Sequence, residues 1–280
     1  MELSSGNPRI TIGLLDGPVA TNHPDLATES IRRVGSKLRG DCVQNSSAAC
    51  RHGTFTAGIL SARRDSPAPA ICPHCTVVVR PIFKDTTRRS EAMPSATPAE
   101  LAEAIVECVE AGARVLNLSV AFAQASSLGE RKLQEAFEYV AQKEVVIVAA
   151  AGNQGTLGSS AIIRHPWVIP VAACDLRGRP LRFTNLGSSI GKRGLMAPGE
   201  GVTSLGSEGE AYTAGGTSVA APFVTGAIAL LWSIFPAAPA AEVKSAVVKG
   251  ATGRRRTTIV PPLLDAWAAY RVMATEHVRR

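Results

Sequence analysis

Short apolar runs alternate with stretches of helical period along most of this chain. The run Ile10-Thr11-Ile12-Gly13-Leu14-Leu15 ends on Asp16, and Gly17-Pro18 break it. Thr21 to Cys50 is polar, punctuated by Asn22, Pro24, Gly35, Gly40 and Asn45, and reads as loop. A short helix of small residues is expected over Arg51 to Leu60, carrying His52, and Thr76 to Ile82 is a β-branched run of the fully buried kind. Thr97-Pro98-Ala99-Glu100 has the form of a capping box with proline at the first helical position. The helix it opens puts Leu101, Ile105 and Val109 on one face and Glu103, Glu107 and Glu110 on the other, ending near Gly112.

Further strands are expected at Arg114 to Val120, Val145 to Ala150, Trp167 to Cys174 and Gly194 to Ala197. Helices are expected from about Leu128 to Gln142, from Ser218 through Trp232, over Ala240 to Lys249 and over Leu263 to Val272. The last would place Leu263, Leu264, Trp267 and Tyr270 on one face. Alternating strand and helix predict an α/β fold with a mostly parallel sheet covered on both faces. No linker or internal repeat divides residues 1–280, so a single domain is expected.

Composition narrows the picture. The chain has 280 residues, 45% hydrophobic and 19% charged, with a formal net charge of +7. The basic residues fall in short scattered clusters, Arg63-Arg64, Arg88-Arg89, Arg254-Arg255-Arg256 and Arg279-Arg280, without interleaved aromatics. That pattern argues for a solvated surface, with attraction of an acidic peptide substrate as the alternative, and against a nucleic-acid partner. No stretch reads as a transmembrane helix and none as a signal peptide, so neither a membrane nor a pro-segment is expected, and the expected location is cytoplasmic. Thiols would then stay reduced. Cys72-Pro73-His74-Cys75 reads as a local disulfide or free thiols rather than a zinc knuckle, since Cys42 and Cys50 are too widely spaced to make a second pair.

The chemistry gathers where apolar elements meet glycine. Gly215-Gly216-Thr217-Ser218 opens an apolar helix, so either Thr217 or Ser218 is only an N-cap, or Ser218 is a nucleophile at a helix N-terminus, where free N–H groups could stabilise an oxyanion. Serine needs a base to take its proton, and the base works best when a buried carboxylate orients it. His52 and Asp16 supply those types, and Asp, His, Ser is one of the known chain orders of such a triad. Asn153, on the turn after Ala149-Ala150-Ala151-Gly152, puts an amide donor past a buried strand.

These segments resemble the subtilisin family of serine peptidases. The resemblance rests on Leu14-Leu15-Asp16-Gly17, on His52-Gly53-Thr54 with Ala57-Gly58, on Ala150 through Gly155, and on Gly216-Thr217-Ser218-Val219-Ala220-Ala221-Pro222 with Gly226. It implies a three-layer α/β/α fold and peptide hydrolysis through an acyl-enzyme, with Ser218 attacking, His52 as base then acid, Asp16 orienting it and Asn153 holding the oxyanion. Leu116-Asn117-Leu118-Ser119-Val120 resembles the family's substrate strand. The implied binding residues are Ser119, Val120, Ala121, Ala150, Ala151 and Gly152, with peptide adding to strands near Ser119 and Ala149 to Gly152.

Departures from the family pattern carry expectations of their own. Phe55 and Phe223 stand where the family usually has histidines, which implies a more apolar backing to the site. Ala121 and Phe122 stand where the family prefers glycines and should narrow or reroute the first pocket. The family's calcium loop has no match between Ser61 and Cys75, so no metal and no cofactor are expected. By ungapped counting from Gly155, Arg164 falls where the family often has a small residue at the base of the first pocket; the resemblance implies either that it or His165 biases that pocket towards acidic or polar side chains, or that the loop bends away and Arg164 is solvated.

Within the family, the Ser218 to Gly226 string, Gly187-Ser188-Ser189-Ile190-Gly191 and the Cys-Pro-x-Cys pair resemble peptidases of cyanobactin-type maturation systems. That implies a peptide substrate, a ribosomal precursor among the candidates, and removal of a leader. Macrocyclisation and a non-catalytic peptide-binding role are the alternatives. Macrocyclisation needs a shielding insertion, for which Lys84 to Ser95 is the sole candidate, so hydrolysis is expected.

Overall fold

The structure is a computed structural model that describes residues 3–26, 28–35, 42, 44–83, 96–119, 129–250 and 258–278. In chain order the elements are β1 (Thr11–Asp16), β2 (Ile31–Arg33), α1 (Ala48–Ser61), β3 (Thr76–Pro81), α2 (Pro98–Glu110), β4 (Val115–Leu118), α3 (Glu130–Gln142) and β5 (Val146–Ala150). Then follow α4 (Ala161–Arg164), β6 (Val168–Cys174), α5 (Ser188–Arg193), β7 (Leu195–Pro198), β8 (Val202–Leu205), β9 (Ala211–Ala214), α6 (Thr217–Ile234), α7 (Ala240–Gly250) and α8 (Ala266–Val278).

β1 to β7 form a seven-stranded sheet in the order β2-β3-β1-β4-β5-β6-β7, every pair parallel. Successive strand side chains point to opposite faces, and the apolar strands therefore feed two cores. Ile12, Leu14, Val77, Val79 and Val148 pack with residues of α1, α6, α7 and α8 on one side. Leu15, Val78, Leu116, Leu118 and Ile147 pack with α2, α3, α4 and α5 on the other. The result is the expected α/β/α sandwich, and its strands are buried runs because both faces are covered.

Local chemistry explains several boundaries. The capping box at α2 forms as expected: Thr97 Oγ1 accepts from Glu100 N, and the Glu100 carboxylate accepts from Thr97 N at 2.8 Å. α1 starts earlier than the hydrophobic pattern indicates, because the Ser47 side chain caps it by accepting from Cys50 N at 3.1 Å.

Other differences are larger. β2 lies inside the stretch read as loop; it is a short edge strand whose side chains are half-buried or exposed, so it carries no buried run to read. The β8–β9 hairpin also has no strong apolar signal, since β9 is largely exposed. It covers α1, where Ser204 Oγ donates to Phe55 O at 2.8 Å. Leu263 belongs to no helix: the chain runs extended there, Met196 N donating to Pro262 O and Leu264 N to Met196 O, so that the segment covers β7 before α8 begins at Ala266.

α6 is long and apolar enough to cross a membrane by length and composition, which the sequence reading did not anticipate. It is a core helix instead, 72% buried within the molecule. Cys42 pairs with Cys50, against the expectation of reduced thiols, while Cys72 and Cys75 are free and buried.

At the far end of α6, Trp232 is fully buried, its Nε1 donates to Ala238 O at 2.9 Å, and the Arg114 guanidinium stacks 4.5 Å from its ring centroid. Trp232→Ala should lower the unfolding free energy by about 3–5 kcal/mol, as read from a denaturant titration, because cavity and transfer costs add.

Candidate active site

Asp16 is the last residue of β1 and is fully buried. Its Oδ1 accepts from Gly17 N at 2.6 Å and lies 2.6 Å from His52 Nδ1. His52 Nε2 lies 2.9 Å from Ser218 Oγ. The three residues thus form one continuous hydrogen-bonded chain, with Nδ1–H donating to the carboxylate and Nε2 free to accept from the serine hydroxyl.

Two glycines set this spacing. A Cβ on Gly53 would stand 2.4 Å from Pro18 O and 2.5 Å from Gly17 O, and one on Gly17 would stand 2.0 Å from Ala49 O. Any larger residue at either place would push α1 off the end of β1 and part His52 from Asp16. Thr54 fastens the same approach, its Oγ1 accepting from Ala20 N at 2.9 Å.

Ser218 is the second residue of α6, entered through Gly216 at φ 137°, a backbone region that L side chains rarely adopt. An ideal Cβ on Gly216 would lie 3.2 Å from Asn153 Nδ2 and 3.5 Å from Ser218 Oγ. The missing side chain leaves open the space between donor and nucleophile. The Asn153 amide is oriented by Thr217, whose N and Oγ1 donate to Oδ1 at 2.9 and 3.0 Å. Nδ2 is thereby left for the open space. Thr217 Oγ1 in turn accepts from Gly152 N at 3.1 Å.

Pro222, inside α6, has no N–H to give the Ser218 carbonyl four residues earlier. That carbonyl accepts from Ser119 Oγ at 3.3 Å instead. Behind Ser119 runs a buried chain: Asn117 Nδ2 donates to Ser119 Oγ at 2.7 Å, and Thr225 Oγ1 donates to Asn117 Oδ1 at 2.8 Å. It ties β4 to α6 and so fixes Ser218 relative to the sheet. The bridging roles of Thr217, read from sequence only as an N-cap candidate, and of Thr225 were missed, because a threonine in a helix has no spacing signal that distinguishes a bridge from a bystander.

The remaining expected positions divide. Ser119, Ala150, Ala151 and Gly152 all lie at the carboxyl ends of β4 and β5 beside Ser218. Ala151 N donates to Val171 O, while Gly152 N and O are bonded to Thr217 Oγ1 and Asn185 N. Ala151 N and both backbone groups of Gly152 thus already have partners within the molecule. Val120, Ala121 and Phe122 lie outside the described residues, as does the Lys84 to Ser95 loop. Arg164 is exposed, its Nη1 donating to Ser159 O at 3.1 Å. His165 is turned into the core, its ring centroid 5.1 Å from that of Phe137. Phe55 and Phe223 pack with Ile59 and Val219, and Phe55 meets Tyr212 edge to face at 5.9 Å, which makes the backing of the site apolar as expected.

Among the described residues no group of three or more His, Cys, Asp or Glu could hold a metal ion. A buried carboxylate, an imidazole, a hydroxyl and an amide donor in this order can take a proton from serine and stabilise an oxyanion, the chemistry of acyl transfer. The comparisons agree with that chemistry. The subtilase family model matches residues 7–263, and the chain belongs to the subtilase family. Subtilisin DY of Bacillus licheniformis is 27% identical over 248 residues, covering 87% of this chain and 84% of its own. A mutant of the protease domain of PatA superposes with a TM-score of 0.86 at 28% identity over 99% of each chain. The prenylagaramide maturation protease PagA does so with a TM-score of 0.82 at 28% identity over 96% of this chain and 95% of its own. The chain is a serine endopeptidase.

The His52 pKa is raised above an ordinary histidine's: burial alone would lower it, but the Asp16 charge and hydrogen bond together outweigh that. Protonated His52 therefore stabilises the fold fully below the unfolded histidine pKa of about 6.5, and this contribution is lost as pH rises through the folded value. Turnover needs the neutral ring and rises over the same window. The acid limb of kcat/KM against pH should lie above about 6.5, and Asp16→Asn should move it downwards while cutting kcat by roughly 10⁴-fold. An unmoved limb in the variant would break the assignment of Asp16.

Proposed function

We propose that this peptidase matures a peptide precursor, cutting a leader from a ribosomally made chain by hydrolysis. The observation that carries the chemistry is the unbroken series Asp16, His52, Ser218, with 2.6 and 2.9 Å between successive partners. What supports the maturation role is the likeness, over nearly the whole chain, to a protein described as a maturation protease.

In the proposed mechanism the Ser218 hydroxyl gives its proton to His52 Nε2 as Oγ attacks the scissile carbonyl. The imidazolium is held by Asp16, and the oxyanion is held by Asn153 Nδ2 in the space that Gly216 leaves open. His52 then returns the proton to the leaving amine, and the acyl-enzyme is resolved by water with His52 again as base. Ser119 positions the Ser218 backbone, and the Ala150 to Gly152 segment walls the pocket beside the scissile bond.

Ser218→Ala should abolish turnover while circular dichroism and the melting transition stay those of the wild type. Continued cleavage by that variant would remove the central claim, and a wild type that neither cleaves nor labels with a fluorophosphonate probe would favour a peptide-binding module. Incubation with a precursor peptide distinguishes the outcomes by product mass: a linear core marks hydrolysis, and a core lighter by one water marks macrocyclisation.

A further inference from the structure

We infer that Asn185 is a positioning residue for the oxyanion donor, acting on Asn153 through the turn that carries it and never on substrate. The inference deepens the serine-peptidase reading and rests on it.

Asn153 sits on an exposed turn where β5 has left the sheet, with φ at +106° for Gly152 and +63° for Gly155. Such a turn has few ladder partners of its own. The Asn185 side chain supplies them on both sides of Asn153. Its Oδ1 accepts from Gln154 N at 3.0 Å, Thr156 N at 3.1 Å and Thr156 Oγ1 at 3.1 Å. Its Nδ2 donates to Ala151 O at 3.2 Å and Gln154 Oε1 at 2.7 Å. Its backbone N donates to Gly152 O at 2.9 Å. Residues 151 and 152 before the donor and 154 and 156 after it are therefore gripped by one residue. A side-chain amide suits the task because it offers an acceptor and two donors on one flat group.

The fit is close and the support is firm. A Cβ on Gly152 would stand 2.3 Å from Asn185 Nδ2, so the grip requires glycine there. The neighbouring Thr184 is buried, and its Oγ1 accepts from Ala173 N of β6 at 3.0 Å, while Leu181 N donates to Ala173 O at 3.0 Å. Asn185 is thus fastened to β6, the strand beside β5. Both amide hydrogens and the carbonyl oxygen of its side chain are already spent on the turn, which leaves nothing for substrate. Loss of the grip should let Asn153 Nδ2 drift, and a displacement of about 1 Å at an oxyanion donor costs on the order of 10²-fold in rate.

The test is a double-mutant cycle with Asn153→Ala in a peptide-cleavage assay. Asn185→Ala should lower kcat by about 10- to 100-fold with KM changed less than about twofold. In the Asn153→Ala background the same substitution should cost less than about threefold, because no donor remains to be aimed. A purely structural role would give equal losses in both backgrounds, and that result, or a raised KM with kcat retained, overturns the inference. Asn185→Asp, near in shape but lacking both donors, carries the same cycle if the alanine variant does not fold, as judged by its melting transition. Wild-type turnover in the same assay checks the peptidase reading separately, so failure of one is not mistaken for failure of the other.

Discussion

The site depends on how closely one helix can approach the end of one strand. α1 rests on the turn after β1 with glycine on both sides of the contact, and only that closeness brings an imidazole within 2.6 Å of a fully buried carboxylate. The burial matters as much as the distance. A carboxylate in a low-dielectric setting interacts with a nearby cation far more strongly than one in water, so Asp16 can offset the cost of holding a charged ring in the interior. α6 packs on the same face of the sheet as α1, and the nucleophile therefore arrives on the correct side without any loop having to reach for it.

α6 is both the principal core helix and the seat of the reactive hydroxyl. Its interior half buries Ile228, Leu231 and Trp232, while its first turn holds Thr217 and Ser218. Pro222 marks the boundary between the two tasks. By withholding an N–H it gives up one helical hydrogen bond, and the freed carbonyl becomes the point at which β4 holds the nucleophile through Ser119, Asn117 and Thr225. Rigid packing below and polar bridges above leave Ser218 little freedom, in keeping with sites whose groups are preorganised before substrate arrives.

How much of this was legible in the chain follows from how each part is encoded. β1, β3, β5 and β6 are buried on both faces and announce themselves as apolar runs; α2 announces itself through its capping box. Asp16, His52 and Asn153 were visible because each adjoins a glycine, and Ser218 because it follows Gly215-Gly216 at the mouth of an apolar run. β2 and the β8–β9 hairpin are half-exposed or exposed and gave no such pattern. Leu263 shares its helical spacing with Trp267 and Tyr270 yet pairs with Met196 of β7, a tertiary contact that local periodicity cannot register. Arg164 is exposed and donates to Ser159 O, a loop contact that counting along the chain cannot place. The Thr217 and Asn185 bonds join segments separated by 64 and 31 residues, and no spacing rule reads such pairs from one chain.

The same separation has a temporal side. His52 and Ser218 meet across 166 residues, and the nucleophile lies in the last quarter of the chain. A ribosome synthesising this protein releases the carboxylate and the base long before it releases the hydroxyl. The central strands β1, β3, β4, β5 and β6 all precede Ser218, so the scaffold that α6 packs against is complete in sequence before the reactive group exists. The triad cannot therefore be complete until residue 218 has been added to the chain, by which point every strand of the sheet has already been made.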